Sequence, residues 1–164
     1  MSSFNRRSFL LTATAFGGLA GCGFAPAYGP NGRAGVLRDA IELATPETRE
    51  DYTFVRAVED RFGAARTARF KLDYTISTDE DSIGLTRDQE INRYHVTGEA
   101  TYTLTDLSSG DIVSSGNVTA FSAYSTSGST FAALTATRDA YTRLTVQLAD
   151  KVVAQILAGV GTAG

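Results

Sequence analysis

Apolar and polar residues alternate most regularly in the middle of the chain. Ala68, Phe70, Leu72, Tyr74 and Ile76 are interleaved with Arg69, Lys71, Asp73, Thr75 and Ser77, the period-two pattern of a strand with one dry and one wet face. After an acidic stretch from Thr78 to Asp88, expected to be a mobile loop, the alternation returns. Tyr94, Val96, Gly98, Ala100, Tyr102 and Leu104 share one face, opposite Arg93, His95, Thr97, Glu99, Thr101 and Thr103. Ser108-Ser109-Gly110-Asp111 has turn chemistry, so the next run, Ile112 to Ser125, is predicted to be its antiparallel partner. Val118 and Phe121 are apolar but of opposite parity, which implies a bulge in this strand or a covered second face.

Helical spacing brackets these strands. Val36 to Leu43, with Ile41 and Leu43 on one side, predicts a short first strand. Thr45-Pro46-Glu47 then has the signature of a helix start, with Thr45 as cap and proline at the first helical position. Phe54, Val55, Val58 and Phe62 fall on one face of that helix, Arg49, Glu50, Arg56, Glu59 and Asp60 lie elsewhere as a solvated face, and Gly63 is placed for a left-handed cap. A last helix runs from a Ser127-Gly128-Ser129-Thr130 cap to about Leu157, before Gly159 and Gly161. Tyr141, Leu144, Leu148, Val152 and Ile156 form its stripe, widened by Leu134, Thr145, Ala149 and Val153. Such a stripe needs a sheet face to bury against. The order strand, helix, three antiparallel strands, helix predicts an α+β two-layer sandwich, a four-stranded mostly antiparallel sheet with two helices packed on one face.

The N-terminal segment has another pattern. Arg6 and Arg7 precede an apolar run from Phe9 to Leu19, and Leu19-Ala20-Gly21-Cys22 contains the only cysteine of the chain. A charged start, a short apolar core and small residues make a secretory signal. The core falls well short of the roughly 20 residues that span a bilayer. The box resembles the lipobox of bacterial lipoproteins, in which cleavage before Cys22 leaves a sulfur that receives a diacylglycerol. Asn5-Arg6-Arg7-Ser8-Phe9-Leu10-Leu11 resembles a twin-arginine export signal, with the general secretory route as the alternative. The expected organisation is a cleaved signal peptide over 1–21, a lipidated tether over 22–35, one domain over 36–158 and a tail over 159–164. Phe24 and Tyr28 of the tether are expected to pack on the domain edge in preference to entering the membrane.

Composition narrows the function. Of 15 basic and 18 acidic residues, the leader takes two arginines, so the mature chain carries 13 minus 18, or −5. That argues against nucleic-acid binding. With one cysteine, no disulfide forms within the chain. The single histidine, His95, lies on the polar side of a strand, and Asp79, Glu80 and Asp81 lack the spacing of a calcium loop. No nucleophile, phosphate or metal motif occurs, so no catalytic residue, metal ligand or dissociable cofactor is expected.

The lipobox followed by Cys22-Gly23-Phe24-Ala25-Pro26-Ala27-Tyr28, the helix from Phe54-Val55-Arg56-Ala57 to Phe62-Gly63, the strand Ala100 to Asp106 and the last helix with Leu148-Ala149-Asp150 together resemble one family. It is the LptE lipopolysaccharide-assembly lipoproteins in their alphaproteobacterial form. The resemblance implies an outer-membrane lipoprotein facing the periplasm, a plug and assembly partner of the LptD β-barrel, and delivery of lipopolysaccharide to the outer leaflet. Gly23 stands where an aspartate retains enteric lipoproteins in the inner membrane, which agrees with outer-membrane delivery. Arg87 matches the position of a lipopolysaccharide-binding basic residue of the family, near the turn between the second and third strands, and Arg93 lies close by. A second basic contact of some members falls at Ala133-Leu134-Thr135-Ala136, where this chain has no charge. The competing function is a periplasmic lipoprotein serving as accessory subunit of a lipid-transporting ABC system.

Overall fold

A computed structural model describes residues 34–85, 91–126 and 129–159. The leader, Cys22, the tether residues Phe24 and Tyr28, Arg87, Ser127, Gly128 and the tail beyond Gly159 lie outside the described residues. Among the described residues seven elements follow in order: α1 (Ala34–Leu37), β1 (Ile41–Leu43), α2 (Arg49–Phe62), β2 (Phe70–Leu85), β3 (Ile91–Asp106), β4 (Ile112–Ser125) and α3 (Thr130–Gly159). The strands form one sheet in the order β1-β2-β3-β4, with β1 parallel to β2 and the other pairs antiparallel. Both long helices cover the same face, and they pack against each other. The architecture is therefore the α+β sandwich that the hydrophobic pattern predicts, with one added helical turn.

That turn is where the first strand was expected to begin. Val36 is exposed, whereas Leu37 and Ile41 are both fully buried, so the chain needs a turn between them, not continuous alternation. Asp39 supplies it. Its φ of 55° lies in the left-handed region, its N–H donates to the Phe62 carbonyl at 2.7 Å, and its carbonyl accepts from the Arg66 N–H at 2.9 Å.

Helix α2 begins three residues later than Thr45-Pro46 implies. Thr48 is the cap: its hydroxyl accepts from the Asp51 N–H at 3.1 Å, and the Asp51 carboxylate accepts from the Thr48 N–H at 2.9 Å. A cap at Thr45 would place Thr48 in the third helical position, where no carboxylate could complete this reciprocal box. Phe54, Ala57, Val58 and Phe62 turn inward, with the Phe54 ring 4.6 Å from that of Tyr74, and Val55 is only half-buried. Fully burying each of the large apolar side chains contributes about 1.5–3 kcal/mol. At the far end Gly63 has φ 83° and ψ 156°, so the residue is positive in φ but extended in ψ, and the left-handed helical cap does not form.

The largest difference from the sequence pattern is in β2. The acidic segment expected to be a loop continues as strand through Leu85, in register with β3 from Thr78↔Gly98 to Ser82↔Tyr94. Strands β2 and β3 have 16 residues each, on the order of 50 Å. Helix α3 has 30 residues, about 45 Å, and so can accompany β3 and β4 over most of their length. Ser129 caps it, accepting from the Ala132 N–H at 3.3 Å. Its stripe of Leu144, Leu148, Val152 and Ile156 is fully buried, as expected, together with Thr145, Ala149 and Val153. Leu134 departs from expectation: it is 53% exposed, because burial on this helix begins at Ala140.

Candidate functional site

The face of the sheet opposite the helices is open and polar. Register places Thr75, Thr101 and Asn117 in one row, Ser77, Glu99 and Thr119 in the next, then Asp79, Thr97 and Phe121, then Asp81, His95 and Ala123. Asn117 donates its side-chain amide to the Glu99 carboxylate and, at 3.2 Å, to the Thr101 hydroxyl. Lys71 pairs with Asp73 at 2.8 Å, and that carboxylate raises the lysine pKa. The parity conflict at Phe121 has a simple resolution. Pairing is regular from Arg93↔Ser125 to Leu104↔Ser114, with the only β3–β4 irregularity at Leu104/Thr105, so there is no bulge at Val118–Phe121. Val118 faces the core, while Phe121 stands on the open face, 65% exposed and edge-on to the His95 ring at 5.4 Å. Ser77, Asp79, Thr97, Glu99, Thr119 and Phe121 border a shallow trough of about 570 Å³.

The two ends of the sheet differ in kind. Ile41 pairs with Phe70, and Phe70 with Asp106, so the chain enters beside the β3–β4 turn. Arg93 lies at the opposite end, aligned with Gly84 and Ser125, 14 residues along β2 from Phe70, or about 45 Å. Its side chain is exposed and makes no ion pair among the described residues. At the same end α3 begins with Phe131, 79% exposed, and Leu134. Ala133 to Ala136 is helical there.

Behind this end, on the helix side, Tyr94 and Tyr124 stack with centroids 5.0 Å apart, and the Tyr141 hydroxyl donates to Glu80 at 3.2 Å. Burial, followed by the neighbouring Glu80 charge, pushes the Tyr141 phenol up to about 12, so it stays a donor at neutral pH. Between α2 and α3 run two adjoining clefts of about 180 and 510 Å³ that share Arg49, Thr53 and Thr142. The helices are tied below them by Arg61 and Asp150 at 2.5 Å. The Arg61 and Asp150 side chains remain 34% and 49% exposed, so this bridge between the helices lies at the surface.

Among the described residues no group of three His, Cys, Asp or Glu side chains is placed to hold a metal ion, and no helix is long and apolar enough to cross a membrane. A family model described as LptE, lipopolysaccharide-assembly, matches residues 39–156, nearly the whole of the described domain. The chain belongs to the LptE family. No curated protein matches the sequence. Solved structures show the same fold. A protein of Caulobacter crescentus CB15 assigned as a lipoprotein is 21% identical with a TM-score of 0.65, covering 79% of this chain and 98% of its own. The rare lipoprotein B of Shewanella oneidensis is 9% identical with a TM-score of 0.58, covering 75% and 96%. A minor lipoprotein of Acinetobacter baumannii is 11% identical with a TM-score of 0.53, covering 73% and 89%. For an LptE-family chain, the informative feature is the separation of the chain's entry from Arg93 by most of the sheet length. Of the two arginines singled out in the sequence, the structure describes only Arg93.

Proposed function

We propose that this LptE-family protein is an outer-membrane lipoprotein, exported and lipidated on Cys22, that seats as a plug in an LptD-type β-barrel. There it assists barrel assembly and the passage of lipopolysaccharide to the outer leaflet, without catalysing a reaction. The family match over residues 39–156 carries this reading. The open sheet face supports it: threonines, serines, Asn117 and a few acids are suited to the polar interior of a barrel, where an apolar face would not be. The domain's polarity also fits. A lipid on Cys22 would hold the Ile41 end near the periplasmic leaflet, two or three acyl chains being needed for firm anchoring, and leave the Arg93 end to reach into the barrel. Arg87 and Arg93 are the proposed contacts for lipopolysaccharide phosphates, which favour charge-assisted guanidinium partners.

Depletion tests this function in the cell. Removing the protein from a conditional strain should lower surface-labelled lipopolysaccharide and cause it to accumulate in the inner membrane. Unchanged surface lipopolysaccharide after complete depletion would refute the role. In the same strain Cys22→Ala should yield unprocessed precursor or a soluble periplasmic form, and unchanged mass and membrane retention would remove the anchor from the account.

A further inference from the structure

The two edges of the sheet are finished differently. Along the outer edge of β4, helix α3 supplies three side-chain donors: Arg143 to the Ala123 carbonyl at 3.1 Å, Lys151 to the Thr119 carbonyl, and Gln155 to the Asn117 carbonyl at 3.5 Å. Such coverage blunts an edge that would otherwise pair with another chain. On the other side β1 pairs only with Phe70 to Leu72, and the contact ends with the Ala44 N–H on the Leu72 carbonyl at 3.0 Å. Among the described residues, strand β2 then runs on to Leu85 without a neighbouring strand on that side. The bonds at Phe70 and Leu72 fix which residues point their backbone outward: by alternation they are Tyr74, Ile76, Thr78, Glu80 and Ser82. Among the described residues, no backbone group pairs with these five on the outer side.

We propose that this open edge of β2 takes an extended segment of the partner polypeptide as a fifth strand, a proposal that rests on the barrel partnership stated above. Backbone pairing of this kind gives affinity, and side chains at alternate positions give selectivity. The selective element here is negative charge. Asp79 and Asp81 lie on the open face and Glu80 on the helix face, whereas Asp73 is already paired with Lys71. The fitting segment therefore carries lysine or arginine on the side facing Asp79 and Asp81. A second copy of this chain fits poorly, because pairing edge to edge would set the two acidic runs against each other.

Proline separates backbone pairing from side-chain contact. Thr78→Pro removes an outward N–H and places the ring in the path of the incoming strand, yet gives up no bond to β3. Thr78→Ala leaves the edge intact. In full-length tagged protein purified from solubilised membranes, Thr78→Pro should lower barrel recovery about tenfold, the effect of losing one or two backbone bonds, while Thr78→Ala stays at the wild-type level. Wild-type recovery with a folded Thr78→Pro protein would overturn the proposal. Failure of the wild type to recover any barrel would instead overturn the partnership on which it rests. A second measurement needs no variant: in the wild-type complex the amides of Ile76, Thr78 and Glu80 should exchange slowly with solvent, and fast exchange at all three would overturn the proposal.

Discussion

Gly98 lies beneath Leu144. A methyl group on Gly98 would stand 3.0 Å from Leu144 Cδ2 and 3.1 Å from Leu148 Cδ1, so the bare backbone at the centre of β3 is what lets α3 seat its leucines against the sheet. The ends of two leucines can yield a few tenths of an ångström to alanine. They cannot yield to a branched side chain. Gly98→Val should cost about 1–3 kcal/mol by overpacking, and Leu148→Ala about 2–5 kcal/mol by leaving a cavity, both read from urea unfolding. A loss for either below about 0.5 kcal/mol, the range of a surface substitution, would show that the helix does not pack as described.

Gly63 and Asp39 lock the opposite corner of the sandwich. A Cβ on Gly63, at φ 83°, would come within 1.9 Å of Asp39 Oδ1, while the Asp39 N–H is bonded to the Phe62 carbonyl. Alanine there is opposed by both backbone conformation and space. Gly63→Ala should lower stability by more than about 1 kcal/mol. Gly110 provides the control: it also has positive φ, at 78°, but nothing lies within 4 Å of its added Cβ, so the backbone effect acts alone and Gly110→Ala should cost less. Equal losses would contradict the Asp39 contact.

Acid should weaken the start of α2. Burial disfavours the charged form of Asp51, but hydrogen bonds from Thr48 and Glu47 outweigh it and hold the carboxyl below the usual 3.8. A carboxylate whose folded pKa is depressed contributes stability that is fully present above the unfolded value and is lost as pH falls through the folded one. The denaturation midpoint of the wild type should therefore drop below about pH 3.8 more steeply than that of Asp51→Asn. Thr48→Ala should be less stable at neutral pH by about 0.5–2 kcal/mol. Parallel acid limbs for the wild type and Asp51→Asn would rule out this contribution.

The arginine end of the domain can be tested without disturbing the core. Arg93 is exposed and free of ion pairs among the described residues, so Arg93→Asp should change stability by no more than about 0.5 kcal/mol, and it is combined with Arg87→Asp for the functional test. Binding of purified lipopolysaccharide should weaken, and cells should admit bulky antibiotics. Lost barrel association would make the arginines interface residues. Unchanged binding and permeability would leave them solvated.

The sequence was most readable where one face of an element is buried and the other wet. Phe70 to Ile76, Tyr94 to Leu104 and the Leu144 to Ile156 stripe all announce themselves that way. Thr78 to Ser82 does not, because Thr-Asp-Glu-Asp-Ser has no apolar alternation and low strand propensity. It is strand because β3 continues beside it to Tyr94 and beyond. Leu134 looked like core by spacing alone, but the buried part of α3 begins only at Ala140. The sequence placed Arg93 correctly on the polar parity of its strand, but the bulge or covered face that Val118 and Phe121 imply is absent: pairing there is regular and Phe121 stands exposed on the open face. The sequence could not show that, among the described residues, β2 has an open edge beyond Leu72, since being an edge depends on how few residues β1 contributes.

Co-purification measures the central claim most directly. Full-length protein tagged at its C-terminus is extracted from whole envelopes in mild detergent, and its stoichiometric partner is identified by mass. The account predicts an outer-membrane β-barrel of the LptD type, recovered with lipopolysaccharide. Recovery of inner-membrane subunits of an ATP-driven lipid transporter, with no barrel, would contradict it.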